Sequence, residues 1–248
     1  MTFDAHPRSS LIVALDFDSL SSAVKFAGKL ADLVGLFKIG SQLFTTAGPA
    51  AVKEIAALGP GIFLDLKFHD IPNTVAGAVL ASAAMPGVQL VNVHALGGKV
   101  MLEAAAQAVS AGVPLGSDRT RLLAVTILTS MDSKAMREAG IGGTPVGRAV
   151  KLASLAKKAG VDGVVASVQE AKAIRKACGR EFLIVTPGVR PKTAPAARGK
   201  KDDQARTATP TEAIRAGADY IVIGRPILTA TDPRAAAQAI VDEIAFAR

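Results

Sequence analysis

The chain has 248 residues, half of them apolar by type, which suits one large core and the size of a single α/β barrel. Its 29 basic and 21 acidic residues leave a net charge of +8, favouring anionic partners, from phosphorylated metabolites to nucleic acid, without choosing among them. A single cysteine, Cys178, excludes an intramolecular disulfide, no apolar run reaches the ~18–20 residues that span a bilayer, and residues 1–10 carry no apolar signal core. These features set the expectation of a cytoplasmic protein with no membrane attachment.

Short apolar runs alternate with longer helical patterns along the chain. Residues 11–16 form the first run, ending in Asp16; Asp18 and Ser19 then cap a helical pattern through Ala23, Ala27, Leu30 and Val34. The second run, 36–40, contains Lys38, and a helical pattern through Phe44, Val52, Ile55 and Leu58 ends at Gly59-Pro60. The third run starts at Gly61 and leads into Asp65-Leu66-Lys67-Phe68-His69-Asp70, followed by Pro72 at the favoured first position of an alanine-rich helix. Residues 88–94 are the fourth run, with Gly97-Gly98 and another helix after it.

The second half repeats the pattern. Runs at 122–128, 161–167, 182–186 and 218–224 read as strands five to eight; helices are expected over 145–159, 168–178 and from Asp232-Pro233 to Phe246. A polar, glycine-bearing loop precedes the helix at 145. About eight buried strands alternating with about eight helices predict a closed parallel (β/α)8 TIM barrel, one domain over residues 1–248. An open doubly wound sheet is the rival, but Leu15-Asp16-Phe17-Asp18 stands where its glycine-rich dinucleotide fingerprint belongs.

Active sites of such barrels lie at the carboxyl ends of the strands. Asp16, Lys38, Asp65, Lys67, His94, Thr129, Ser130, Arg190 and Arg225 all fall there. In a strand, Asp65 and Lys67 share a face, and burying both is costly unless they act together. An ion-pair network capping the sheet explains the motif alone equally well; the convergence of so many polar residues on one barrel mouth favours an enzyme. Thr186-Pro187-Gly188-Val189-Arg190 and Ile223-Gly224-Arg225-Pro226 follow strands seven and eight, where barrels often hold phosphate, and each offers glycine backbone and an arginine fork. Residues 192–209, rich in lysine and arginine, read as a lid over an anionic substrate. With one tyrosine and no tryptophan, platforms for stacking nucleic-acid bases are scarce, and no nucleic-acid partner is expected.

Combined with the runs containing Lys38-Ile39-Gly40, Val93-His94-Ala95, Leu128-Thr129-Ser130-Met131 and Pro187-Gly188-Val189-Arg190-Pro191, the Asp65-x-Lys67-x-x-Asp70 stretch resembles the orotidine 5′-phosphate decarboxylase family over nearly the whole chain. The resemblance implies that Lys67 protonates C6 of the pyrimidine, that Asp65 and Asp70 flank the departing carboxylate, and that Lys38 completes a Lys-Asp-Lys-Asp array. It also implies a homodimer in which Asp70 and Thr74 reach the partner's site. Asp16 and Lys38 would hold the ribose, Thr129 and Ser130 would approach the pyrimidine, and Arg225, Gly224, Arg190 and the lid residue Gln204 would lie on the phosphate side. No cofactor and no metal are implied. The alternatives are a magnesium-dependent sugar-phosphate aldolase or decarboxylase of the same superfamily, and a non-catalytic barrel binding a polyanion.

Overall fold

Short runs that are apolar on both faces belong in a parallel sheet covered on both sides. The computed structural model, which describes residues 6–111, 119–191 and 208–248, builds such a sheet from them. Its strands are β1 (Leu11–Ala14), β2 (Leu36–Gly40), β3 (Gly61–Phe68), β4 (Val88–His94), β5 (Arg121–Val125), β6 (Gly163–Val165), β7 (Leu183–Thr186) and β8 (Tyr220–Ile223). They pair in parallel in sequence order, and β8 closes on β1. The expected (β/α)8 TIM barrel is therefore the fold.

Around it lie α1 (Leu20–Gly28), α2 (Ser41–Ala47), α3 (Pro49–Ala56), α4 (Pro72–Ala83), α5 (Gly98–Ala111), α6 (Ser133–Glu138), α7 (Pro145–Lys158), α8 (Val168–Cys178), α9 (Pro210–Arg215), α10 (Arg225–Leu228) and α11 (Pro233–Ala247). Local chemistry sets their starts. Ser19 caps α1, Thr144 caps α7, and Asp232 accepts the Arg234 and Ala235 amides, 3.0 Å each, ahead of α11. Among the described residues, no helix is long and apolar enough to cross a membrane.

The structure departs from the sequence reading in places that have physical causes. The helical pattern through Phe44 and Leu58 is two helices, because Gly48 adopts φ +59° and Pro49 starts a new one. Several ladders are shorter than their apolar runs: Leu15 and Ile127 lie beyond β1 and β5 yet stay buried beneath the helical layer. The short helix α6 occupies the loop expected before residue 145, and α9 and α10 follow β7 and β8. Of the segment read as a lid, residues 192–207, including Gln204, lie outside the described residues. Its end is ordered differently from a loop tip: Ala208 bridges to Val189, and Thr209 with Glu212 forms a capping box for α9.

Two apolar layers result. Residues such as Val13, Phe37, Leu64 and Ile184 pack outward against the helices. Inside the barrel, Ile12, Ala14, Leu36, Phe63, Leu90, Leu123, Val185 and Val222 fill the closed sheet. Strand side chains alternate faces, so the residues two further along these inward rows also face the axis. They include the polar or small residues Asp16, Lys38, Asp65, Asn92 and Gly224, beside Val125 and Pro187.

The opposite side of the barrel is tied by Arg175 of α8. Its guanidinium donates to the carbonyls of Gly179, Phe182 and Gly217 and to Asp219, whose carboxylate also accepts the Ile184 amide at 2.7 Å. One side chain thus fastens a helix to the starts of β7 and β8. Arg175→Ala should lower unfolding free energy by about 2–3 kcal/mol, the scale of hydrogen bonds involving charged groups, and Arg175→Lys should restore little because an ammonium cannot span the same carbonyls. Urea denaturation checks this; a loss within ~0.5 kcal/mol, ordinary for a surface change, would remove Arg175 from the account of stability.

Candidate active site

The inward rows of β1 to β3 end in charge. Asp65 is buried, and its Oδ1 lies 2.7 Å from Lys67 Nζ while its Oδ2 lies 3.4 Å from Lys38 Nζ. Lys38 Nζ also donates to Asp16 Oδ1 at 3.2 Å. Asp16, Lys38, Asp65 and Lys67 therefore form one alternating chain across three neighbouring strand ends. Burial works against the charged form of Lys38, but the Asp65 carboxylate and then Asp16 outweigh it and hold its pKa above the usual lysine value. Removing one partner from a buried pair of this kind leaves an uncompensated charge, at about 3–5 kcal/mol.

Lys67 reaches its place through an irregular backbone. Between Leu64↔Val91 and Phe68↔Val93 the ladder slips, so three residues of β3 stand opposite the single residue Asn92 of β4. Bulges of this sort re-aim side chains. Within it Lys67 has φ +53°, and among the described residues it is the one non-glycine residue with positive φ. Such a conformation costs on the order of 1–3 kcal/mol and persists where its surroundings over-determine it. The Lys67 amide donates to Asn92 Oδ1 at 2.8 Å, and Asn92 Nδ2 donates to Asp65 Oδ1 at 2.7 Å.

These residues border a cavity of about 300 Å3 at the carboxyl ends of the strands. Asp16, Lys38, Asp65 and Lys67 form one wall; Gly188, Arg190, Gly224 and Arg225 form another, and Thr129 joins them beside apolar Val125, Ile127 and Val165. Ser130 is exposed and outside this lining. Asp70 and Thr74 are also exposed and outside this lining; the Asp70 carboxylate accepts the Ile71 amide at 2.6 Å where α4 begins. His69 and His94 stack beside Lys67 with ring centroids 5.3 Å apart. Burial first, then the charges of His69 and Lys67, push the His94 pKa below the ordinary histidine value.

A larger hollow, about 960 Å3, opens at the amino ends of the strands. Several of its charged groups have structural partners: Arg119 pairs with Asp162, which also accepts the Leu122 amide at 2.8 Å, and the Arg8 guanidinium donates to the Asp32 carbonyl at 2.9 Å. It is the stabilising end of the barrel rather than the reactive one.

Two residues of the site escaped the sequence reading. Asn92 is fully buried and was visible only as a polar residue interrupting an apolar run. Gly40 reads as the end of a strand, yet a β-carbon there would stand 2.8 Å from Lys38 Nζ. The absence of a side chain at residue 40 leaves room for the ammonium.

Comparison with known proteins agrees with this geometry. Residues 9–240 match the model of the Orotidine 5′-phosphate decarboxylase / HUMPS family. The chain is 54% identical over 237 residues to the orotidine 5′-phosphate decarboxylase of Pelobacter propionicus, covering 96% of this chain and 95% of that protein. It is 51% identical over 241 residues to the one of Moorella thermoacetica, covering 96% and 93%. Among solved structures, the orotidine 5′-phosphate decarboxylase of Lactobacillus acidophilus superposes with TM-score 0.80 at 39% identity, covering 94% of this chain and 98% of that one. The Pyrococcus horikoshii enzyme of the same name gives 0.73 at 25% identity, covering 95% and 99%. The barrel, the charged strand ends and a match over nearly the whole sequence together make this chain a member of the orotidine 5′-phosphate decarboxylase / HUMPS family.

Proposed function

We propose that the chain decarboxylates orotidine 5′-phosphate to UMP and carbon dioxide, without a cofactor, in de novo pyrimidine biosynthesis in the cytoplasm. The observation that carries this reading is the Lys38–Asp65–Lys67 array at the edge of the cavity. Breaking the bond from C6 to the carboxylate leaves the electron pair on C6 as carbon dioxide departs. The Lys67 ammonium stabilises that developing charge and then transfers a proton to C6, and the resulting amine regains its proton from water. Asp65 keeps the ammonium in place and faces the substrate carboxylate. Asp16 and Lys38 hold the ribose hydroxyls, Thr129 and Ser130 approach the pyrimidine, and Arg190, Gly224 and Arg225 with Gln204 take the phosphate. Binding the remote phosphate supplies energy for orienting the ring against Lys67.

The shared site is part of the proposal. Asp70 and Thr74 are exposed and do not line their own cavity, which fits a homodimer in which each chain lends them to its partner. Apolar Ile71, Leu96 and Val100 are exposed near the starts of α4 and α5, which pack together, and give such a dimer a surface to bury. The magnesium-dependent alternative fits the array less well. Asp65 Oδ1 already accepts from Lys67 and Asn92 while Oδ2 faces Lys38, so a divalent cation would have to displace ammonium groups.

Mixing the protein with orotidine 5′-phosphate should lower ultraviolet absorbance at a rate unchanged by a chelator. Loss of turnover restored by magnesium would instead favour the alternative. Lys67→Ala should reduce kcat by about 10²–10⁴-fold or more with an unchanged circular dichroism spectrum; near-normal turnover would refute the proton transfer. Lys67→Ala and Asp70→Ala should each be inactive alone. Random exchange of their subunits should restore about a quarter of wild-type activity, since half the dimers then hold one intact site. No recovery despite verified exchange would mean that the two groups act within one chain.

A further inference from the structure

We infer that Asn92 is a positioning residue, which holds the Lys67 ammonium against the Asp65 carboxylate by bonding both the strained Lys67 backbone and that carboxylate. The inference rests on the decarboxylase reading for its kinetic consequence and on geometry alone for its structural one. Asn92 does not line the cavity, so it acts through its neighbours. It is fully buried, and a buried amide left unmatched on either end would be costly. Both ends are matched, to groups that differ in kind. Oδ1 accepts the Lys67 amide at 2.8 Å, and Nδ2 donates to Asp65 Oδ1 at 2.7 Å.

The two bonds fix the amide's orientation. Turned over, it would set its oxygen against a carboxylate oxygen and its NH2 against a backbone N–H. They also span the bulge: the one residue of β4 opposite residues 65–67 grips both ends of the displaced segment. Left to itself, a lysine has little reason to remain at φ +53°. Hydrogen bonding to the amide of that residue supplies one. On the other side, Asp65 Oδ1 receives the Lys67 ammonium and the Asn92 amide together, which leaves Oδ2 for Lys38. Asn92 therefore fixes which oxygen serves which lysine.

Aspartate at this position has nearly the same shape and separates positioning from packing. Its protonated form can donate to Asp65 as the amide does; its ionised form cannot, and repels that carboxylate. The charged or titratable groups around it are Asp65 and Lys67 of β3, Lys38 of β2, and the His69–His94 pair. The protonated, competent form is present below the new carboxyl's pKa and is lost as pH rises through it.

The experiment compares wild type, Asn92→Asp and Asn92→Ala by steady-state kinetics between pH 5 and 8 and by crystallography. Asn92→Ala should lower kcat by about 10–100-fold per folded site with KM little changed, the loss of one bond to a charged group at a site distant from the phosphate. The ratio of Asn92→Asp to wild-type kcat should rise as pH falls. In crystals of Asn92→Ala, Lys67 should leave the positive-φ region. A lowered melting temperature with wild-type kcat in Asn92→Ala, or a pH-independent ratio for Asn92→Asp, would overturn the inference. Wild type without turnover would refute the decarboxylase reading; the positioning claim then stands or falls on whether Lys67 keeps φ near +53° in the alanine variant.

Discussion

A largely buried carboxylate governs this site. Asp65 stands at the end of an inward row whose previous member, Phe63, is part of the barrel's filling, so its charge must be answered from within the protein. The answer comes from three strands: Lys38 from β2, Lys67 from further along β3 and Asn92 from β4. Lys38, Asp65 and Asn92 depend on the same alternation that sends Leu36, Phe63 and Leu90 into the barrel two residues earlier, while Lys67 is re-aimed by the bulge. A one-residue register slip in any of these strands would turn its polar group toward the helices. The apolar filling and the charged mouth are thus one pattern read at two heights.

This dependence explains how much could be read from the sequence. Alternating runs and helical patterns gave the barrel because strands buried on both faces leave a strong hydropathy signal. The charges at the strand ends stood out for the opposite reason, since Lys38, Asp65 and Lys67 interrupt that signal. Smaller features were hidden. Gly40 matters through the volume it leaves beside Lys38, and an absent side chain looks the same in sequence whether its space is used or empty. The positive φ of Lys67 comes from a ladder slip against β4, a property of two strands that neither shows alone. The short helices α6, α9 and α10 span 6, 6 and 4 residues, too few for a clear periodic pattern.

The cavity has two unlike walls. Toward β1–β3 its polar groups are held rigidly by one another, ion pair against ion pair on strand ends. Toward β7 and β8 they lie on loops, with Gly188 at φ +77° and Arg225 opening a four-residue helix. The paired bonds of Arg190 N to Ala208 O at 2.8 Å and Ala208 N to Gly188 O at 3.4 Å tie that second wall to α9. On the proposed reaction this division has a purpose. Charge developing at one carbon is stabilised best by a cation whose position is settled before the bond breaks, because then nothing has to reorganise at that moment. A phosphate, already charged when it arrives, places a looser demand on the loops that meet it.

Settling the cation in advance has a structural cost, and the fold places that cost locally. Lys67 is an ordinary L-residue in a backbone region that disfavours it, at the half-buried end of a strand whose residues 61–65 are buried. A more relaxed segment would restore the ladder with β4 but move the ammonium, since the bulge is what sets residues 65–67 apart from the regular pleat. Strain of this kind survives only where neighbouring structure is more stable than the strain is costly. Here the neighbours are the apolar rows of β2–β4 and the helices packed outside them, which take no part in the chemistry. Stability is concentrated in those layers so that a few residues at the mouth can be held away from their own preferred geometry.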